Sequence, residues 1–127
     1  MCVKDEKILY KDLSYSIVGL AMKVHNELGN GFLEKVYENA LMLLLKHAKI
    51  KAEQQSPINV MFQDQVIGQY YADILVDGKI ILELKTVDKI VGEHVSQVIH
   101  YLKATGVKLG IILNFGQKSF EYKRVVL

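Results

Sequence analysis

Residues 70–87, YYADILVDGKIILELKTV, narrow most what this chain can fold into. Their β-branched and aromatic runs read as two strands joined at Asp77-Gly78. Strand side chains alternate between faces, so Ala72, Ile74 and Val76 share one side of the first strand. Ile80, Leu82 and Leu84 share one side of the second, and together the two apolar sets call for a core-facing surface. The opposite face carries Tyr71, Asp73 and Leu75 with Ile81, Glu83 and Lys85, and all three charges fall on it. A two-residue turn would pair Val76 with Lys79 and send Asp73 and Glu83 to opposite faces. A three-residue loop of Val76, Asp77 and a left-handed Gly78 pairs Leu75 with Lys79 instead. Tyr71 then faces Glu83, Asp73 becomes its diagonal neighbour, and the apolar sets align. The pattern predicts this bulged hairpin, with two carboxylates aimed at one point.

The surrounding chain supplies a frame for that hairpin. Residues 13–28 carry Ile17, Leu20, Ala21, Val24 and Leu28 at helical spacing, with Ser14 as N-cap and Gly29 as stop. A second helix runs from about Phe32 to His47 with a broad apolar face. Strands follow at 58–62, 66–76 and 79–87, forming an antiparallel meander. A helix over 92–104, stopped by Gly106, leads to a buried strand at 109–115 that pairs parallel with its neighbour. Residues 120–126 suit an edge strand. The expected fold class is α/β (α+β, mixed sheet), with a central sheet flanked by helices. With 127 residues, the chain fits a single domain over 1–127, with 1–12 as an N-terminal extension.

Composition excludes little. A net charge of +2 does not demand nucleic acid as a partner, although clustering can still make one face positive. No apolar run approaches the roughly 18 residues of a membrane helix, and the charged start lacks a signal peptide's apolar segment. A cytoplasmic protein with no membrane partner is expected. The single cysteine, Cys2, permits no intramolecular disulfide and has no companion ligands for a metal. His94 and His100 lack metal-ligand spacing, and no phosphate-binding loop or Ser/His/Asp constellation is present.

The chemistry therefore rests on the hairpin. Two converging carboxylates repel unless a proton or cation intervenes, and oxygen ligands suit Mg²⁺ or Mn²⁺. A lysine two residues beyond the second acid can meet a metal-bound water or a phosphate. The same residues also describe the ordinary solvated face of an antiparallel sheet, and spacing leaves both readings open.

Asp73, nine residues, then Glu83-Leu84-Lys85 resembles the D…(D/E)xK signature of the PD-(D/E)XK nuclease superfamily, whose restriction-endonuclease-like αβββαβ core has the same element order. Ala72 stands where that signature has proline. Gly31-Phe32-Leu33-Glu34-Lys35-Val36-Tyr37 resembles the GxxExxY pattern of one branch, and residues 97–101, QVIHY, resemble the QxxxY motif of RecB-type nucleases. The resemblance implies that Asp73, Glu83 and the Leu84 carbonyl hold the metal, with Lys85 as catalytic lysine. It further implies that Glu34 is an additional or water-mediated metal contact. Gln97 and Tyr101, one helical turn apart, would support Lys85 or the DNA backbone. Tyr37 would buttress Glu34, and His25 would line the site or serve as a hydrogen-bonded structural histidine.

The expected function is Mg²⁺- or Mn²⁺-dependent hydrolysis of phosphodiester bonds in nucleic acid, DNA first. The rival is a catalytically weak or inactive binding module for nucleic acid or protein on the same fold. A structural domain with an incidental charged face is a third reading. Similarity in size to dimeric Holliday-junction resolvases adds a homodimer to the expectations, since a small domain has limited surface for gripping DNA.

Overall fold

The computed structural model describes residues 8–127; Cys2 and the rest of residues 1–7 lie outside that range. Eight elements run in the order α1 (Lys11–Leu28), α2 (Glu34–His47), β1 (Ala52–Phe62), β2 (Gln65–Val76), β3 (Ile80–Lys85), α3 (Gly92–Thr105), β4 (Leu109–Asn114) and β5 (Glu121–Val126). The expected α+β mixed sheet flanked by helices is what forms. Its five strands lie in sequence order, with only the β3–β4 pair parallel.

Several boundaries differ from the sequence reading. α1 begins at Lys11 behind a left-handed Tyr10, so Ser14 is inside the helix rather than its cap. The Ser14 hydroxyl instead donates to the Lys11 carbonyl at 3.1 Å and accepts from Arg124 at 2.7 Å. β1 begins at Ala52, six residues before the expected start, because Ala52 to Gln54 pair with Ile74 to Val76. Pro57 is tolerated there because β1 is an edge strand, where a missing N–H need not break a ladder.

The sheet separates two cores. On one face α1 and α2 bury Ile17, Leu41 and Leu45 against Ile74, Ile80, Leu82, Ile111 and Leu113. On the other, α3 lays Val98, Tyr101 and Leu102 over Ala72, Ile81 and Ile112. β4 is buried throughout, as a central strand covered on both faces should be. Gly110 permits the close seating of α3, since a Cβ there would collide with Val98 Cγ1.

Ala72 does not share a face with Ile74 and Val76, contrary to strict alternation. It belongs to the α3 core and they to the α1–α2 core. The switch coincides with Gln55 on β1, whose φ of 54° drops it from the ladder between Gln54↔Ile74 and Ser56↔Ala72. Beyond the switch, β1 and β2 run on as a two-stranded arm, since β3 pairs only with Ile74, Leu75 and Val76. Among the described residues no helix is long and apolar enough to cross a membrane.

Candidate active site

β2 and β3 stop pairing where their charges begin. Val76 lies opposite Ile80, Leu75 opposite Ile81 and Ile74 opposite Leu82, and one further step would set Asp73 opposite Glu83. The predicted register, Leu75 with Lys79, is therefore displaced by two residues, to Leu75 with Ile81. Asp77 and Gly78 both take positive φ, the Lys79 N–H closes the turn onto the Val76 carbonyl at 2.9 Å, and Lys79 becomes the extra residue. The displacement preserves the parity that brings the two acids together and converts a diagonal pair into a facing one.

At that step side chains replace the ladder. Asp73 Oδ2 accepts the Leu84 N–H at 2.8 Å, and Glu83 Oε1 accepts the Asp73 N–H at 3.4 Å. Each acid thus holds the opposite strand, and its second oxygen receives no hydrogen bond among the described residues. Glu83 is only 5% exposed, so the solvated-face reading does not describe it. Burial first, and then the charge of Asp73, push the Glu83 carboxyl up to about 8. Asp73 is also raised, by burial foremost and by Glu38 and Glu34, while the Leu84 N–H and Lys85 pull the other way.

Lys85 follows at the end of β3 and donates from Nζ to Gln97 Oε1 at 3.3 Å. Gln97 Nε2 in turn donates to the Tyr101 hydroxyl at 3.1 Å. One turn of α3 therefore positions the lysine, through residues that the i, i+4 spacing had placed on one helix face. Burial and the nearby charge of Glu83 raise the Tyr101 phenol, which keeps its proton as a donor.

α2 contributes charge from its N-terminal turn. Glu34 is its first residue, exposed, and close enough to act on both Asp73 and Glu83. Gly31, with φ of 115°, shapes the entry to that helix, and fully buried Tyr37 pins it by donating to the Gly29 carbonyl at 2.6 Å. The same hydroxyl accepts the Phe32 N–H at 3.2 Å, and its ring stacks on Phe115. Tyr37 thus holds the loop that presents Glu34. His25 is buried elsewhere, with Nε2 2.7 Å from the Gln117 carbonyl and its ring near Phe115 and Phe120. Its contacts are those of a structural histidine.

Two residues near the site had escaped the sequence reading. Glu38 is buried one turn beyond Glu34 and accepts from Lys35 and from both Gln54 and Gln55, holding the irregular part of β1. Its i, i+4 relation to Glu34 was the available signal. Asn114 is fully buried; its Oδ1 accepts from the Val87 and Gly116 N–H groups, and its Nδ2 donates to the Val87 carbonyl and Glu121. It clamps the segment leaving β3, which joins Lys85 to the helix bearing Gln97. A lone Asn ending an apolar run gives no hint of this.

The donor set fits a hard divalent cation. The buried Glu83 and the half-buried Asp73 each keep a free oxygen, and their charges oppose each other where burial has stripped part of their solvent. Among the described residues no group of three or more His, Cys, Asp and Glu could hold a metal. The protein's offer is thus two carboxylates rather than a full cage, which is how Mg²⁺ is commonly held.

Residues 11–125 match the family described as the PD-(D/E)XK nuclease superfamily. Comparison with curated proteins returns no match. Among solved structures, one titled "Crystal structure of SSO0001" superposes with a TM-score of 0.58 at 19% identity. The match covers 73% of this chain and 50% of that one, so this chain spans about half its length, and the likeness is one of fold.

Proposed function

This chain belongs to the PD-(D/E)XK nuclease superfamily, and on that premise we propose that it is a divalent-metal-dependent phosphodiesterase of nucleic acid, DNA first, within the GxxExxY branch. The observation that supports this most is the facing of Asp73 and Glu83 at the end of the β2–β3 ladder, with Lys85 beside them. Asp73, Glu83 and the Leu84 carbonyl would hold Mg²⁺ or Mn²⁺, with Glu34 as a further or water-mediated contact. Such an ion, when bound, neutralises a phosphate oxygen and lowers the pKa of water.

The chain's own residues do the rest. The Leu84 N–H orients the Asp73 carboxylate, so a ligand oxygen is fixed before substrate arrives. Gln97 restrains the Lys85 ammonium, which attracts the phosphate and orients the attacking water. Tyr101 offers its hydroxyl proton to a substrate oxygen, because its own oxygen already accepts from Gln97 Nε2. Asp73, Lys85 and Gln97 are each partly buried, which strengthens these interactions relative to bulk water.

Incubation with single-stranded, duplex and branched DNA in Mg²⁺ or Mn²⁺ is expected to yield cleavage by the wild type. Asp73→Ala and Lys85→Ala are each expected to lower it by roughly 10²–10³-fold or more, the scale of losing one preorganised charge. Undiminished cleavage by either variant overturns the assignment. The rival, a binding module without chemistry, is favoured by the absence of a third ligating side chain among the described residues. Calorimetric titration with Mn²⁺ separates the two: DNA retention without metal binding selects the module. Sedimentation with and without DNA tests the homodimer.

A further inference from the structure

We propose that the groove between the β1–β2 arm and α3 is a stacking subsite for an unpaired nucleobase, beside the acidic pair; this deepens the nuclease reading and rests on it. The groove encloses about 1110 Å³, with Val60, Met61 and Tyr70 on the arm and Gln97, His100 and Tyr101 on the helix. Sites for a small organic group run to roughly 300–1,000 Å³, so this space has room for a base and its sugar.

Its lining matches a base better than an aliphatic chain. Tyr70 is 53% exposed, whereas Tyr101 is 8% exposed, so the arm offers an open aromatic face over a fixed one. Their ring centroids lie 5.9 Å apart at 39°, a tilted contact rather than a parallel stack, and Tyr70 stays half exposed. Every base has a π-face, and stacking on an aromatic side chain is tolerant of sequence. Lys103 at the rim supplies a cation for a backbone phosphate, and Glu93 is the one acid among the lining residues.

Position completes the case. Gln97 lines the groove and also holds Lys85, so groove and acidic pair share a wall. A strand whose phosphate meets Lys85 has its neighbouring nucleotide at this opening. The substrate class that follows is a single strand, a frayed end or a flap.

The test is fluorescence anisotropy of a labelled single-stranded oligonucleotide, and of its blunt duplex, in EDTA so that no cleavage intervenes. The wild type is expected to prefer the single strand. Tyr70→Ala should weaken single-strand binding roughly ten-fold, the worth of one base stack, while Tyr70→Phe keeps the ring and stays within about two-fold. Equal affinity for duplex, no oligonucleotide binding, unchanged binding by Tyr70→Ala, or a Tyr70→Phe as weak as Tyr70→Ala each overturns the subsite. Cleavage by the wild type in Mg²⁺ or Mn²⁺ is scored separately. Tyr70-dependent binding without cleavage removes the nuclease reading alone, and cleavage with Tyr70-independent binding removes the subsite alone.

Discussion

The two faces of β3 are built from adjacent residues and have opposite effects. Leu82 and Leu84 enter the α1–α2 core, which is apolar side chain against apolar side chain. Glu83, between them, is only 5% exposed, yet it carries an acid into the α3 side beside Asp73. The first face stabilises the fold by removing hydrocarbon from water. The second costs stability, because carboxylates leave water to face one another. A fold retains such a face when a ligand restores what burial removed.

Truncation on the apolar side should give the largest change in stability. Leu82→Ala removes a fully buried side chain and should cost about 2–5 kcal/mol in chemical denaturation. A loss below about 1 kcal/mol would mean the α1–α2 core relaxes into the cavity.

The neighbouring acid should behave in the reverse sense. Because the folded Glu83 titrates near 8 and its ordinary value is 4.5, its contribution to stability is complete below 4.5 and is lost as pH rises through 8. The metal-free protein should therefore weaken between those limits, at up to about 1.4 kcal/mol per pH unit for one proton. Glu83→Gln should flatten that slope and be the more stable protein at pH 8. Adding Mg²⁺ or Mn²⁺ at pH 8 should restore wild-type stability and leave Glu83→Gln little changed. A pH-independent melting temperature in EDTA would show that burial of this acid carries no cost.

Seating of α3 on the acidic face can be probed at Gly110. Gly110→Ala drives a methyl into Val98 and should cost about 1–3 kcal/mol, as overpacking does. Cleavage should fall as well, because Gln97 rides on the same helix. Unchanged activity with lost stability would separate the packing of α3 from its hold on Lys85.

The smallest effect is expected at the loop before α2. Tyr37→Phe deletes the hydroxyl shared by the Gly29 carbonyl and the Phe32 N–H but leaves the stack on Phe115. A cost of about 0.5–1.5 kcal/mol is the range for such a bond. Hydrogen exchange at Phe32 would report the freed loop.

Much of this arrangement was legible before any coordinates. Periodicity located every helix and strand to within a few residues, except the early start of β1, whose polar EQQ run hides its pairing with β2. Asp73, Glu83, Lys85, Gln97 and Tyr101 were candidates from spacing and resemblance, and hydrogen bonds join them into two short chains, one at the acids and one through Gln97. The facing register was missed by two residues, because a turn with two positive-φ residues followed by a bulge has the same parity as the loop chosen.

Local chemistry is thus written in the chain itself: which segments are strands, which side of β3 carries its charges, and which glycine can enter α2. What those charges experience was settled only by packing. Whether Glu83 meets water depends on the distant elements that fold around it, and they leave it 5% exposed. The same holds for the face switch at Ala72, which needs Gln55 on another strand, and for Asn114, which needs a segment 27 residues away. Alternation and spacing are properties of neighbouring residues, whereas desolvation is imposed by atoms that only folding brings near.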